Sequence, residues 1–209
     1  TNKAAREMKD RIAKVIGDGE ARNVWMGTFH SVFARILRIE SERINYPRNF
    51  TIYDTSDSRA LIKDIVKGLG LDDKVYKAAS VQSRISNAKN NLIDAKGYAD
   101  NTDIMSEDTQ AGRPRIHEVY RAYESRCFRA QAMDFDDLLF KMNVLLRDFP
   151  DLLLKYQHKF QYILVDEYQD TNFSQYVIIK QLAALRENLC VVGDDAQSIY
   201  GFRGANIEN

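Results

Sequence analysis

Two neighbouring carboxylates, Asp166 and Glu167, follow the apolar run Ile163-Leu164-Val165. Such a run predicts a buried strand, and the acids fall where it would end. In open α/β sheets, ligands gather beyond the carboxyl ends of the strands. One carboxylate placed there can hold Mg2+ through its water shell. Its neighbour can orient an attacking water and accept its proton. That division of labour suits phosphoryl transfer to water, in which an enzyme chiefly positions groups and stabilises charge. Adjacent Asp-Glu pairs are common on solvated surfaces, so the setting carries the information. Here an apolar strand precedes the pair and Tyr168-Gln169-Asp170-Thr171-Asn172 follows it.

The stretch has the form of a Walker B element. A second apolar run, Asn188 to Val192, predicts another buried strand and leads into Gly193-Asp194-Asp195-Ala196-Gln197-Ser198-Ile199-Tyr200-Gly201-Phe202-Arg203-Gly204-Ala205. Tyr200 and Phe202 carry aromatic faces able to stack on unpaired bases, worth ~1–3 kcal/mol per base. The alternative is core packing, for which Tyr200 is the better candidate. Arg203 can bind a phosphate or brace its own segment by pairing with an acid. Near the start, Val24 to Thr28 predicts a strand, and Phe29-His30-Ser31 opens a helix. Thr28 and His30 there offer donors to a phosphate or sugar; His30 could equally cap that helix or be a satisfied, half-buried histidine.

The elements that must position these groups alternate in type. Met8, Ile12, Val15 and Ile16 fall at helical spacing, with Thr1 or Asn2 as a cap, and Gly17 to Glu20 reads as a turn. Val32, Phe33, Ile36, Leu37 and Ile39 line the next helix. Between about Ile44 and Asp134 the pattern is a helical array. Leu61, Ile62, Ile65, Val66 and Leu69 mark one helix, capped by Ser56 or Asp57 and stopped near Gly68 to Gly70. Val81, Ile85, Ala88 and Leu92 mark another, with Arg84 and Lys89 expected to be exposed. Asp100 to Arg113 reads as a polar surface loop. Ile116, Val119, Tyr120 and Tyr123 mark a third helix, and Phe135, Leu138, Leu139, Met142 and Leu145 a fourth. The acids Asp134, Asp136 and Asp137 sit at the fourth helix's start, where they favour its dipole, so a metal cluster is the weaker reading. Leu152 to Leu154 and Phe173 to Leu182 predict two more helices. Strands near both ends around a helical middle predict an α/β protein: a parallel sheet with a helical insertion.

Composition narrows the classes further. The chain has 209 residues, 44% of them hydrophobic, enough for a real core in one large domain or two small ones. Its 30 basic and 30 acidic residues balance, so only a local basic groove could serve nucleic acid. Cys127 and Cys190 lack metal-ligand spacing; Cys190, inside an apolar run, is expected to be a small buried hydrophobe in a reduced, cytoplasmic chain. No apolar run approaches the ~20 residues that cross a membrane, and no signal peptide is visible. Internal repeats and low-complexity tracts are absent. Both ends read as cuts through a longer protein.

Asp-Glu-Tyr-Gln-Asp-Thr-Asn at 166–172 resembles motif II of the UvrD/Rep/PcrA-like superfamily 1 DNA helicases, and Gly193 to Ala205 closely resembles their motif III. Thr-Asn-Lys-Ala-Ala at 1–5 is similar to the end of motif Ia, Gly-Thr-Phe-His-Ser at 27–31 to motif Ib or Ic, and the Asp134 to Leu139 phrase to motif Id. The order of these phrases matches the family across the chain, with specificity concentrated in motifs II and III. The resemblance implies a partial RecA-like sheet of the P-loop NTPase type, made by residues 1–31 and 158–209. Residues 32–157 would be the inserted helical subdomain called 1B. It implies that Asp166, Glu167 and Gln197 act on Mg-ATP, with Gln197 near the γ-phosphate. Thr1, Asn2, Lys3, Thr28, His30, Tyr200, Phe202 and Arg203 would contact DNA, the implied partners being single-stranded DNA and single-strand/duplex junction DNA. Many relatives carry Trp where this chain has Phe202, a smaller stacking face. Movement would run 3′ to 5′, with no membrane involved and protein partners undefined. The Walker A pattern Gly-x-x-x-x-Gly-Lys-(Ser/Thr) is absent, as is any Gly-Lys pair, so this piece by itself is expected neither to hydrolyse ATP nor to unwind DNA. Two alternatives stand beside a helicase piece: a non-catalytic DNA- or partner-binding module with the same fold, and the helicase part of a helicase-nuclease.

Overall fold

The structure is a computed structural model that describes residues 2–194, with side chains from residue 6 onward. Among the described residues there are eleven α-helices and four short strands. In order they are α1 (Asn2–Ile16), α2 (Asp18–Ala21), α3 (Phe29–Ile39), β1 (Thr51–Tyr53), α4 (Thr55–Gly68), α5 (Ala78–Asn90), α6 (Ala95–Asp100), α7 (Thr102–Gln110), α8 (Ile116–Arg129), β2 (Ala132–Asp134), α9 (Phe135–Asp148), α10 (Pro150–Lys159), β3 (Ile163–Val165), α11 (Phe173–Ala183) and β4 (Leu189–Val191). The strands form two separate two-stranded sheets, both parallel. One pairs β1 with β2, Ile52 opposite Met133. The other pairs β3 with β4, Leu164 opposite Cys190. The protein is therefore mixed α/β, mostly helical, with short parallel strands.

Caps set the helix boundaries. Asp54, Asp134 and Asn172 each accept from the backbone N–H three residues on, and each donates its own backbone N–H in return to the side-chain oxygen of Asp57, Asp137 and Gln175 respectively. Such boxes satisfy two otherwise orphaned donors, and losing the cap costs about 0.5–2 kcal/mol. The cap of α4 is thus Asp54, ahead of the expected Ser56 or Asp57. Asn101 accepts from the N–H groups of Asp103 and Ile104 and starts α7, so most of the stretch expected as loop is helical. Polar composition concealed this helix because only part of one face is needed for packing. Gly17, with φ 85°, carries the chain from α1 into the single turn of α2.

Two apolar clusters hold the chain. In the first, Phe33, Ile36 and Leu37 of α3 meet Leu138, Leu139, Met142, Leu145 and Leu146 of α9, Tyr156 of α10, and Ile178 and Leu182 of α11. The second gathers Ile62, Ile65 and Val66 of α4 with Val81 and Ile85 of α5, Tyr98 of α6, and Val119, Tyr120 and Tyr123 of α8. Each fully buried aliphatic or aromatic side chain contributes roughly 1.5–3 kcal/mol relative to exposure. The β1–β2 pair, invisible in the helical reading of Ile44 to Asp134, ties the two ends of the second cluster's segment together.

Several expectations are corrected. Val24 to Thr28 is not a strand; Trp25 instead packs edge-on to Phe160 at 5.4 Å beneath the Arg35 guanidinium. Lys89 is buried rather than exposed, because Asp134 and Asp137 each meet its ammonium at 2.8 Å. Cys190 is exposed, as is all of β4, and within β3 only Val165 is buried while Leu164 is 76% exposed. Alternation along a strand sends Leu164 to the face opposite Val165. That face is uncovered among the described residues.

Candidate functional site

β3 delivers Asp166 and Glu167 into solvent at its carboxyl end. The chain then turns sharply. Glu167 adopts the left-handed conformation, φ 54° and ψ 44°, and Tyr168–Asp170 forms one 3-10 turn. Three bonds fix this bend. The Glu167 N–H donates to Asp166 Oδ1 at 3.0 Å. The Asp170 N–H donates to the Glu167 carbonyl at 3.0 Å, and the Tyr168 N–H to the Val192 carbonyl at 2.9 Å. Asn172 then caps α11, so the carboxylate pair is clamped between a strand and a helix start.

Gln169 is the internal brace. Its Nε2 donates to Glu167 Oε2 at 2.6 Å, and its Oε1 accepts from the Asp194 N–H at 3.1 Å. The side chain is buried. One amide thus joins the Glu167 carboxylate to the segment leaving β4. That segment must approach closely: a Cβ at Gly193 would lie 2.7 Å from Gln169 Oε1 and 3.3 Å from the backbone nitrogens of Tyr168 and Gln169. Gly193 is required by proximity, not by an unusual φ.

Thr28 and His30 begin α3. Thr28 is its N-cap, with Oγ1 accepting from the Ser31 N–H at 3.3 Å. The His30 ring stands edge-on to Phe135 at 5.8 Å, and burial lowers its pKa from the usual imidazole value, favouring the neutral ring. Phe135 is the first residue of α9, whose opening turn holds Asp136 and Asp137. The structure therefore brings His30 against the turn that the sequence marked by its acids.

That turn is a buried ionic cluster. Burial opposes charge on Lys89, yet Asp134 and Asp137 outweigh it and hold its pKa well above the ordinary lysine value. Burial likewise opposes charge on Asp134, whereas the Lys89 ammonium and its hydrogen bond bring that carboxyl below its usual range. The Tyr123 hydroxyl also donates to Asp134 Oδ2 at 2.8 Å. Asp137, by burial and then by the neighbouring Asp134 charge, is pushed up to about 6.

Thr1, Gln197, Tyr200, Phe202 and Arg203 lie outside the described residues, as do the side chains of Asn2 and Lys3. Gln169, Gly193, Lys89, Asn90 and Asn172 make contacts around the acid pair and the α9 turn that sequence reasoning did not single out. Gln169 was within reach, standing two residues after Glu167 in the motif; no local signal joins Lys89 to acids 45 residues away.

Chemically, an exposed carboxylate at a strand end suits a hard divalent cation held mainly by water and phosphate oxygens, since Mg2+ commonly takes only one or two protein carboxylates. No cluster of three or more His, Cys, Asp or Glu able to enclose a metal exists among the described residues. The donor set thus fits a phosphate-shared ion rather than a protein cage. No helix of the described residues is long and apolar enough to cross a membrane.

Comparison with known proteins covers the whole chain. The family described as UvrD/REP helicase N-terminal domain matches residues 1–209. An ATP-dependent DNA helicase PcrA from Leuconostoc citreum is 46% identical over all 209 residues, which span 27% of that relative. Proteins of the same name from Staphylococcus aureus strain Mu50 and Staphylococcus epidermidis are 47% and 46% identical over 209 residues, spanning 28% of each. The chain therefore spans little more than a quarter of these relatives.

Proposed function

The chain belongs to the UvrD/REP helicase family, and from that premise we propose that it is the motor-side portion of an ATP-dependent DNA helicase that couples Mg-ATP hydrolysis to 3′ to 5′ movement along single-stranded DNA. One observation carries the reading: Asp166 and Glu167 follow β3 into solvent, and Glu167 is braced through Gln169 to the Asp194 backbone. In this reading Asp166 holds Mg2+ through water. Glu167 orients the attacking water and accepts its proton, and Gln169 fixes the Glu167 carboxylate so that little reorganisation accompanies reaction. Gln197 approaches the γ-phosphate.

Single-stranded DNA, with its junction to duplex, would run past Thr1 to Lys3, Thr28 and His30, and stack on Tyr200 and Phe202 with Arg203 at a phosphate. The neutral ring of His30 would donate a hydrogen bond rather than a charge. The β3–β4 pair would be part of a RecA-like sheet, and the exposed Leu164 face supports further covering in the longer protein. The segment between β1 and β2 would be an inserted helical subdomain. Its separate apolar cluster supports limits at about those two strands, narrower than residues 32–157. The two free cysteines suit a reducing cytoplasm.

The test uses the full-length parent. Glu167→Gln is expected to keep ATP binding while lowering DNA-stimulated turnover at least about a hundredfold, the scale of a lost general base. The 209-residue piece, lacking a Walker A pattern, is expected to show no metal-dependent, DNA-stimulated ATPase. Wild-type turnover in the Glu167→Gln parent would refute the assignment of Glu167.

A further inference from the structure

Asn90, the last residue of α5, joins two helix starts that are remote in sequence. Its Oδ1 accepts from Asn172 Nδ2 at 2.8 Å, across 82 residues. Its Nδ2 donates to Asp136 Oδ1 at 3.1 Å, across 46 residues, and at 3.4 Å to Ser86 Oγ. The direction of each bond is forced. Asn172 Oδ1 is committed to the Gln175 N–H at 2.9 Å as the cap of α11, so its Nδ2 must face Asn90. Asp136 is the acceptor on the other side, so the Asn90 amide cannot flip without losing both bonds.

The two ends of this bridge have different duties. Asn172 closes the bend that carries Asp166 and Glu167, two residues beyond the 3-10 turn. Asp136 lies in the first turn of α9, next to Phe135, on which the His30 ring packs. That first turn is anchored to α5 a second time by Lys89, the residue beside Asn90, through Asp134 and Asp137. A shift of His30 that moves the start of α9 therefore reaches the carboxylate bend through one amide side chain.

We propose that Asn90 is a positioning residue that couples strand contact at His30 to hydrolysis at Asp166 and Glu167. The proposal rests on the functional reading of those three residues given above. Asn90 touches neither nucleotide nor DNA in this scheme. It acts on the geometry of Asn172, and through that cap on the Tyr168–Asp170 turn. Spatial continuity alone does not establish coupling, so the test is a mutant cycle in the full-length parent.

Steady-state ATPase is measured with and without single-stranded DNA for wild type, Asn90→Ala, Asn90→Ser, Asp136→Asn, Asn90→Asp and the double variant N90D/D136N. The double variant reverses the polarity of the bridge. The carboxylate introduced at position 90 still accepts from Asn172, and the amide introduced at position 136 donates where the native carboxylate accepted. Asn90→Ala and Asn90→Ser are expected to lower the DNA-stimulated kcat about tenfold, the scale of a lost bond to a charged group, with a much smaller effect on the rate without DNA. Asn90→Asp alone places two acids together and is expected to behave at least as badly, while N90D/D136N recovers most of the stimulation. Equal losses with and without DNA would assign Asn90 a merely structural role and overturn the proposal. Unchanged stimulation in Asn90→Ala, or a folded double variant with no recovery, would overturn it as well. The underlying reading fails separately, and takes the proposal with it, if wild type lacks DNA-stimulated ATPase or Glu167→Gln retains turnover.

Discussion

Replacing Lys89 with Met should be among the most destabilising single changes available to this chain. The ammonium is 1% exposed and lies 2.8 Å from both Asp134 and Asp137, with the Tyr123 ring at 5.0 Å. Met fills a similar volume, so little cavity forms. What remains is a pair of carboxylates, each largely removed from water and stripped of the ammonium that lies 2.8 Å from both. Breaking one side of a buried ion pair typically costs about 3–5 kcal/mol. Set against a total domain stability of roughly 5–15 kcal/mol, that loss is a large fraction. For a chain of this size about 1 kcal/mol shifts the melting temperature by about 2–4 °C, so the expected fall is about 6–20 °C. Thermal and urea unfolding followed by circular dichroism measure it. The triple variant Lys89→Met, Asp134→Asn, Asp137→Asn should recover most of the loss, because Asn can still cap α9 and no charge stays buried. A Lys89→Met melting point within about 2 °C of wild type would refute the reasoning, since it would mean that the cluster is solvated in practice.

Two further outcomes follow from the geometry. Asp137, held up to about 6 by burial and by Asp134, takes up protons on folding between its ordinary value and that figure. Its contribution to stability is full below the unfolded value and is lost as pH rises through about 6. Urea unfolding at several pH values should therefore show the advantage of wild type over Asp137→Asn shrinking from about pH 4 to about pH 6; an advantage that grows over that window would refute the assignment. Gly193→Ala would push a methyl to 2.7 Å from Gln169 Oε1 and force that amide off Glu167 and the Asp194 N–H. In the full-length parent its ATPase kcat should fall roughly tenfold or more, as small misplacements of reacting groups do, and an unchanged kcat would show that Gln169 is not a brace.

The acid pair was legible because its signal is local: three apolar residues, then two carboxylates. The first turn of α9 was legible for the same reason, as acids clustered before an apolar helix. Its partner was not. Lys89 follows Val81 and Ile85 at helical spacing, so it lies along their apolar stripe. A lysine near such a stripe ordinarily carries its ammonium out to water. Only folding reveals that this one meets Asp134 and Asp137 instead. Asn90 and Asn172 escaped because each reads as a helix-end residue of local use. The β1–β2 pair escaped because three residues are too few to show alternation, and the whole of α4 to α8 separates Ile52 from Met133. Cys190 and Leu164 were expected to be buried because apolar runs usually are. Periodicity reports which residues prefer cover, not whether cover is present on both faces.

Position 167 also bears on how this stretch would drift if only folding were selected. The backbone there has φ 54°, where residues with a Cβ are disfavoured by roughly 1–2 kcal/mol and glycine is not. A library randomised at this one codon and sorted for thermal stability would enrich glycine, with asparagine behind it, and discard glutamate. Sorting the same library for turnover in the full-length parent would do the reverse under the role proposed for Glu167. Under that role, the two selections would pull in opposite directions at a single residue, and consensus stabilisation would have to leave its carboxylate alone.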